Sequence, residues 1–336
     1  MRVARLRRRS DIAVVLAEAE MVSVLLWLNE AEVYAEALKR AGIAARFDIQ
    51  MLRADRQPEA RQLEQTEILL AWRAPPGLLA QMPRLRWIQA LTAGVEHWLA
   101  RTDLHAGIAL TCARGTHRVQ MPENILGALF HLTKPYAQAT LDQRERRWVR
   151  RVSEPLAGRT LGILGLGEIG CELAKKASAL ELRVIGTRRS AQPVAHVDAI
   201  YPPERTDIVL AQSDFVLLLL PLTPQTENFM NAARFKAMRA SAYLLNFGRG
   251  ALVVDADLVA AVRAKTIAGA VLDVYREEPL PGEHPFWSTT GITVLPHIGG
   301  LDAHRDEYVA ALFAGNAARY LRGARLAALV DRARGY

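Results

Sequence analysis

Short apolar runs alternate along this chain with longer stretches whose apolar positions recur every three or four residues, and the whole alternation occurs twice. The pattern predicts parallel α/β sheets: strands buried on both faces read as unbroken apolar runs, and their crossovers are helices. In the first third the strand candidates are 22–28, 46–52, 67–72, 86–91 and 108–112. Asn29 is placed to cap a helix that Gly42 closes. A helical stretch is expected from about 122 to 151, long enough for a spine linking two domains. The second unit offers strands at 161–164, 183–186, 215–220, 242–246, 268–274 and 292–295, with helices at 168–180, 226–238 and 255–265. A last helix, 303–322, is expected to return to the first domain. The predicted fold is therefore α/β, with two Rossmann-like or flavodoxin-like doubly wound parallel-sheet domains. Residues 123–301 form one, inserted into a discontinuous other made of 1–122 and 302–336.

The length of 336 residues favours two domains over one. No apolar run is long enough to cross a bilayer, so no membrane association is expected. Cys112 and Cys171 make no disulfide framework and sit in no metal-ligand spacing, which points to reduced thiols, a cytoplasmic protein and no metal. Cys171 falls at a helix start, where its thiol pKa would be lowered, or is a small buried filler. The net charge is +8, and Arg2, Arg5, Arg7, Arg8 and Arg9 supply much of it. Three readings of that cluster stand: a nucleic-acid patch, an organellar signal, or an extension ahead of a natural start at Met21. Asp11, Glu18 and Glu20 speak against a transit peptide, and a strand beginning at Val22 suits the third reading. Elsewhere the mild basic excess fits small anionic ligands, and no nucleic-acid partner is expected.

The second unit opens on Gly165-x-Gly167-x-x-Gly170, between a predicted strand and a predicted helix. In that context the motif predicts a dinucleotide site. Gly165 permits the tight turn, Gly167 lets backbone approach a pyrophosphate, and Gly170 lets helix and strand pack closely. Leu166, Glu168 and Ile169 complete the loop, and the pyrophosphate sits at the helix N-terminus, where free N–H groups favour an anion. An NAD enzyme needs an acid at the end of the next strand. Here that end reads Thr187, Arg188, Arg189, Ser190, with no carboxylate. Either the two arginines pair with a 2′-phosphate, assisted by Thr187 or Ser190, or they form a solvated turn. NADP(H) is the preferred cofactor, with NAD(H) as the alternative.

Three strand ends carry polar residues in apolar surroundings: LLNFGRG at 244–250, LDVYREEP at 272–279 and VLPHIGG at 294–300. In a doubly wound sheet ligands bind at the carboxyl ends of the strands, so Arg249, Glu278 and His297 are candidates to converge there. Reduction of a keto acid needs a proton donor at the carbonyl oxygen, and His297 can serve. A carboxylate, Glu278, holds the ring and stabilises its positive charge, and an arginine fork, Arg249, binds the substrate carboxylate. Taken singly each is more often structural, His297 as a strand cap, Glu278 as a solvated acid and Arg249 as a local ion-pair partner, and it is their joint placement that favours chemistry.

With these motifs in this order, the chain resembles the D-isomer-specific 2-hydroxyacid dehydrogenase family over nearly its whole length. The resemblance implies Arg249 as the substrate-binding arginine, Glu278 as the acid partner and His297 as the general acid/base. It also implies that Asp273 contacts the nicotinamide amide and that Phe247, Gly248 and Gly299 lie at the cofactor. The run LPLTPQT at 220–226 is similar to the family's cofactor-side loop, with Pro221, Leu222 and Thr226 as its contacts. The run TAGVE at 92–96 is similar to its carboxylate-binding turn, with Ala93, Gly94 and Val95 presenting N–H groups. A homodimer built on the nucleotide domain and the helix near 143–148 is implied too.

Within the family the glyoxylate/hydroxypyruvate reductase A branch is the most similar. LLAWRAPP at 69–76, the Arg188-Arg189-Ser190 loop and the tail VDRARGY at 330–336 carry that resemblance. Trp72 and Arg73 then line a substrate pocket, although Trp72 reads equally well as core. The chain departs from the family pattern at Glu96 (aspartate is usual), at MPEN 121–124 (Val-Ala-Glu-His is common), at the apolar 218–220 and at Ile298-Gly-Gly-Leu301 after His297. These positions border the expected pocket and leave the substrate open. A reductase of small 2-keto acids such as glyoxylate or hydroxypyruvate, giving D-2-hydroxy acids, is the leading reading. A dehydrogenase for larger aryl or branched acids and an NAD(P)H-sensing corepressor-like protein of the same fold are the alternatives.

Overall fold

A computed structural model describes residues 21–190 and 192–335. The arginine cluster and its three readings lie outside the described residues. The chain divides into two compact units: one runs up to Arg114 and takes in His304–Arg334, the other is Gly115–Ala303.

In the first unit, β1 (Val22–Trp27), β2 (Phe47–Leu52), β3 (Ile68–Ala71), β4 (Trp87–Ala90) and β5 (Ala109–Thr111) pair in parallel in the order β2-β1-β3-β4-β5. This is the flavodoxin-like order. The apolar run of β1 is unbroken because each face of the sheet has its own core. Val24, Leu26 and Leu28 pack with Tyr34, Leu38 and Phe313 on one side, while Leu25 and Trp27 pack with Leu69, Ile88 and Trp98 on the other. Helix Arg305–Leu321, from far along the chain, stacks Phe313 on Trp87 at 5.5 Å.

Helix Ala31–Arg40 ends as the sequence predicts. Gly42, at φ +70°, donates to the Lys39 carbonyl, and Ile43 reaches back to Leu38, closing a Schellman turn. Its start differs. Glu30 occupies the cap without a side-chain bond, and Asn29 instead accepts the Ala54 N–H at 3.2 Å. Asn316, fully buried, accepts from the Ala327 N–H (2.7 Å) and donates to the Ala327 carbonyl (3.0 Å), seating the last segment beside β5. Asn316→Leu is expected to cost about 1–3 kcal/mol by stranding both backbone groups; an unchanged urea midpoint would contradict this.

In the second unit, β6 (Thr160–Leu164), β7 (Arg183–Thr187), β8 (Ala199–Tyr201), β9 (Phe215–Leu218), β10 (Tyr243–Asn246), β11 (Gly269–Leu272) and β12 (Ile292–Val294) form a parallel sheet ordered β12-β11-β10-β9-β6-β7-β8. This is the dinucleotide-binding order extended by one strand. Neighbouring residues again serve opposite cores, with Leu161, Ile163 and Leu245 on one face and Leu164, Leu244 and Leu272 on the other. The winding reverses where β6 pairs with β9, the position at whose carboxyl ends doubly wound sheets bind their ligands.

Two helix expectations are corrected. No single helix spans 122–151: it is divided into Gln120–Thr133 and Tyr136–Arg144, because Pro135 forces Lys134 into extended backbone (φ −116°, ψ 136°). The helix expected over 226–238 is only Ala232–Ala237, capped by Asn231, whose Oδ1 accepts from Arg234 N–H. Residues 228–230 are drawn away by backbone bonds to Ala251 and Leu252.

Candidate active site

Every functional candidate of the second unit lies at the carboxyl end of a strand. The glycine loop leaves β6 in the left-handed region at Gly165 (φ +107°), where a side chain would come within 2.8 Å of the Leu219 carbonyl oxygen. At Gly170 a Cβ would stand 3.0 Å from the Gly165 oxygen, so helix Glu168–Ala179 packs tightly on the loop. Gly167 is different: nothing lies within 4 Å of where its Cβ would be. The loop thus has an open cradle at a helix N-terminus, the arrangement a pyrophosphate requires. Leu166 ties the loop to the next strand by donating to the Thr187 carbonyl at 3.0 Å.

Past Thr187, Arg188 donates its N–H to Tyr201, Arg189 is exposed, and Ser190 Oγ accepts the Gln192 N–H at 3.4 Å. The positive charge of Arg188 acts on Cys171 in the first turn of the glycine-loop helix. Burial nevertheless pushes the Cys171 thiol above its ordinary value, the reverse of the lowering that a helix start suggests. Beyond β9, Thr226 Oγ1 donates to Pro221 O at 2.7 Å and accepts from Thr223 N–H at 2.8 Å, closing the 221–226 loop on itself. Leu222 packs against the core.

At the end of β10, Asn246 is buried and shapes the turn that follows. Its Oδ1 accepts the Gly248 N–H (3.1 Å) and its amide donates to the Arg249 carbonyl (2.9 Å). Arg249 is half-buried, with Nη1 donating to Gly248 O at 2.7 Å. At the end of β11, Asp273 is 1% exposed and accepts N–H groups from Ile298 (2.8 Å) and Gly299 (3.0 Å). Burial raises its pKa, and those two backbone bonds offset part of the rise. Phe247 borders the same place: a Cβ at Gly299 would be 2.5 Å from Asp273 Oδ2 and 2.8 Å from the Phe247 ring.

Glu278 and His297 meet directly, with Oε2 to Nδ1 at 2.6 Å. The other carboxylate oxygen accepts the Tyr275 N–H at 2.9 Å, so Glu278 cannot swing away without losing both. An ionised carboxylate only accepts, so with Glu278 in that form Nδ1 is the donor of the pair and Nε2 is not engaged by Glu278. The His297 side chain is 53% exposed, on backbone held in the left-handed region (φ +53°). Asp273 fixes that backbone through Ile298 and Gly299, and Asn124 holds it from the other side by donating to the Ile298 and Gly299 carbonyls (3.2 and 2.9 Å). Tyr275 Oη reaches the carbonyls of Leu272 (2.7 Å) and Leu295 (2.8 Å), joining the ends of β11 and β12.

The remaining candidates belong to the first unit. Trp72, just past β3, is 40% exposed, and Arg73 is exposed. The Arg305 guanidinium lies 4.1 Å over the Trp72 ring and donates to the Leu91 carbonyl, so one side chain joins Trp72 to the turn at 92–95. Thr92 Oγ1 closes that turn on Gly94 O at 2.6 Å, and the Val95 side chain is buried. His97 approaches the Trp72 carbonyl through Nε2 at 3.0 Å, and burial holds its imidazole below the ordinary value.

Asn246, Asn124, Tyr275 and Arg305 were not assigned a role from sequence. Asn246 had a signal, a polar residue ending an apolar run, and Asn124 stood out as a departure from the family pattern. Arg305 had none, since its partners are distant in sequence. Among the described residues no His, Cys, Asp and Glu group is arranged to hold a metal, and no helix is long and apolar enough to cross a membrane.

A dinucleotide-type sheet whose strand ends hold a histidine–carboxylate pair and an arginine has the groups that a hydride-transferring oxidoreductase requires. Comparison with known proteins specifies which kind. Residues 126–299 match the NAD-binding domain of the D-isomer specific 2-hydroxyacid dehydrogenases. The chain is 32% identical over 296 residues to the glyoxylate/hydroxypyruvate reductase A of Yersinia enterocolitica, covering 85% of this chain and 91% of that one. Among solved structures, a D-isomer specific 2-hydroxyacid dehydrogenase from Xanthobacter autotrophicus Py2 in complex with NADPH and MES superposes with TM-score 0.83 at 29% identity, over 95% of this chain and 100% of that chain. The NADPH-dependent glyoxylate/hydroxypyruvate reductase of Sinorhizobium meliloti, in complex with NADP and sulfate, gives 0.81 at 27% identity over 94% and 100%. The chain belongs to the D-isomer specific 2-hydroxyacid dehydrogenase family.

Proposed function

We propose that this protein reduces small 2-keto acids of the glyoxylate/hydroxypyruvate type to D-2-hydroxy acids at the expense of NADPH. The observation that carries the reading is the 2.6 Å Glu278–His297 pair at the ends of β11 and β12, next to the β10 turn that presents Arg249. The names of the Yersinia and Sinorhizobium relatives support the substrate class. When bound, the nicotinamide supplies the hydride to the carbonyl carbon. His297 delivers the proton from Nε2 to the carbonyl oxygen while Nδ1 stays bonded to Glu278. Arg249 grips the substrate carboxylate, and its charge stabilises the developing alkoxide. Trp72, Arg73 and the N–H groups of Ala93, Gly94 and Val95 are proposed as further substrate-binding groups.

The open space over Gly167 suits the pyrophosphate, with the loop from Gly165 to Gly170, Pro221, Leu222, Thr226, Phe247, Gly248, Asp273 and Gly299 as the cofactor's neighbours. Arg188 and Arg189, with Thr187 and Ser190, are proposed to hold the 2′-phosphate, because no carboxylate stands there to repel it. Arg188→Asp with Arg189→Ala should therefore shift the NADPH-over-NADH preference at least tenfold towards NADH; an unchanged ratio of kcat/KM values would show that the phosphate is held elsewhere. A cytoplasmic homodimer is part of the proposal, supported by the exposed apolar side chains of Tyr136, Trp148 and Val152 (75, 91 and 92%). Light scattering that shows only monomer would remove it.

The deciding experiment is oxidation of NADPH, and separately of NADH, with glyoxylate, hydroxypyruvate, pyruvate and phenylpyruvate. Turnover of the small acids with NADPH preferred is the expected result. Preference for phenylpyruvate would move the substrate to the larger acids, and tight NADPH binding without any turnover would favour a sensor.

A further inference from the structure

The loop carrying Glu278 and the turn carrying Arg249 touch backbone to backbone. A Cβ on Gly250 would stand 1.9 Å from the carbonyl carbon of Tyr275. One side chain bridges this junction. From the Glu278 loop, the Arg276 guanidinium donates through Nη2 to the carbonyls of Val253 (2.6 Å) and Ala251 (3.3 Å), and through Nε to Val253 (3.2 Å). Nη2 also donates to Asn228 Oδ1, and Nε lies 3.7 Å from Asp255, whose other oxygen is 3.4 Å from His284 Nε2. Asn228 is in the left-handed region (φ +54°) and donates its own N–H to Ala251 O at 2.8 Å. Ala251 belongs to the short helical turn Gly250–Leu252 that follows Arg249, and Val253 comes directly after it. Such a turn has too few internal bonds to fix its own position.

We propose that Arg276 is a positioning residue that sets where Arg249 stands relative to the Glu278–His297 pair. The assignment rests on the keto-acid reductase reading. Among the described residues none of Arg276's partners is assigned to substrate or cofactor, so the side chain acts only through the segments it joins. The carboxylate held by Arg249 and the proton delivered by His297 belong to one small molecule, and misplacement by about 1 Å costs on the order of a hundredfold in rate. Arginine suits the junction because its planar fork reaches two carbonyls and an amide oxygen at once, which an ammonium on a flexible stem does not.

The test uses full-length Arg276→Met, which keeps an apolar stem and removes the donors, together with Arg276→Lys and Asn228→Gly. Glycine accepts the left-handed backbone of Asn228 and removes only the side-chain partner of Arg276. Two readouts are taken: steady-state reduction of glyoxylate, and the affinity of the NADPH-loaded protein for oxamate, an unreactive carboxylate that reports on Arg249. For Arg276→Met, kcat/KM should fall about 10–100-fold and oxamate binding weaken severalfold, with NADPH affinity within twofold of wild type. Arg276→Lys should recover part of both losses, and Asn228→Gly should show a smaller loss in the same direction. A role in stability alone would lower Tm and leave both readouts within twofold, and that result overturns the proposal. If wild type reduces none of the keto acids but binds oxamate, the reductase reading fails while the oxamate comparison still decides the role of Arg276. If wild type does neither, both fall.

Discussion

His297→Ala is expected to lose about 10²–10⁴-fold in kcat while NADPH affinity stays within twofold of wild type, as measured by fluorescence titration and steady-state kinetics. The loss follows from chemistry. Without an acid at the carbonyl oxygen, hydride transfer leaves an alkoxide that only water can protonate. The selectivity follows from geometry. Among the described residues the ring's one hydrogen bond goes to Glu278, and its side chain is 53% exposed, so truncation opens no cavity in the core. The backbone at 298–299 stays anchored by Asp273 and Asn124. Alanine does meet a cost at φ +53°, but histidine already bears it, so the exchange adds little strain. A parallel loss of NADPH affinity would mean that His297 supports the cofactor loop and is not the proton donor.

Gly250→Ala is expected to be the second large effect. A methyl group at that position lies 1.9 Å from one backbone atom and 2.1 Å from another, both of Tyr275, and backbone cannot rotate away as a side chain would. Either the β10 turn or the β11 loop must move. Overpacking of this kind costs about 1–3 kcal/mol of stability. The larger consequence is for activity: separating the loops moves Arg249 from Glu278 and His297, and a loss of at least about a hundredfold in kcat/KM is expected. Wild-type kinetics in Gly250→Ala, with an unchanged urea midpoint, would mean the two loops do not set the geometry of the reaction.

The two predictions differ in how far the sequence alone reached. His297, Glu278 and Arg249 were legible as candidates because a polar side chain ending an apolar strand stands out, and because the fold puts such ends on one edge. Gly250 sat inside the same motif without a role, since its need for a missing side chain arises from Tyr275, which is 25 residues later and one strand over. Arg276 was hidden for the same reason, and Asn124 stood out only as a departure from the family pattern, with no partner to read. Each acts on backbone carbonyls of a segment remote in sequence, and a carbonyl has no signature in a list of residues.

Local failures have the same cause. Asn29 is a good cap by type, yet its oxygen is claimed by Ala54 from another loop. Residues 226–230 have helical spacing, yet Met230 donates its N–H to Leu252 and Val254 donates to Met230. Where the competing bond is long-range, local propensity is a weak prior. Pro135 is the contrary case: a local rule, legible in the sequence, that breaks the expected long helix.

By itself the sequence determined what is decided by short-range chemistry. It set the alternation of strand and helix, because periodicity follows from which faces must be buried. It set the glycine loop, because only glycine tolerates that turn, and the absence of an acid after β7, because charge is a property of the residue. The tertiary structure alone decided the strand orders β2-β1-β3-β4-β5 and β12-β11-β10-β9-β6-β7-β8. It also decided the contact of Glu278 with His297 and the seating of Arg276 across two loops. These depend on which distant segments pair, and that choice is made by the summed burial of two-sided sheets and by the satisfaction of backbone groups, quantities that no single stretch of chain contains.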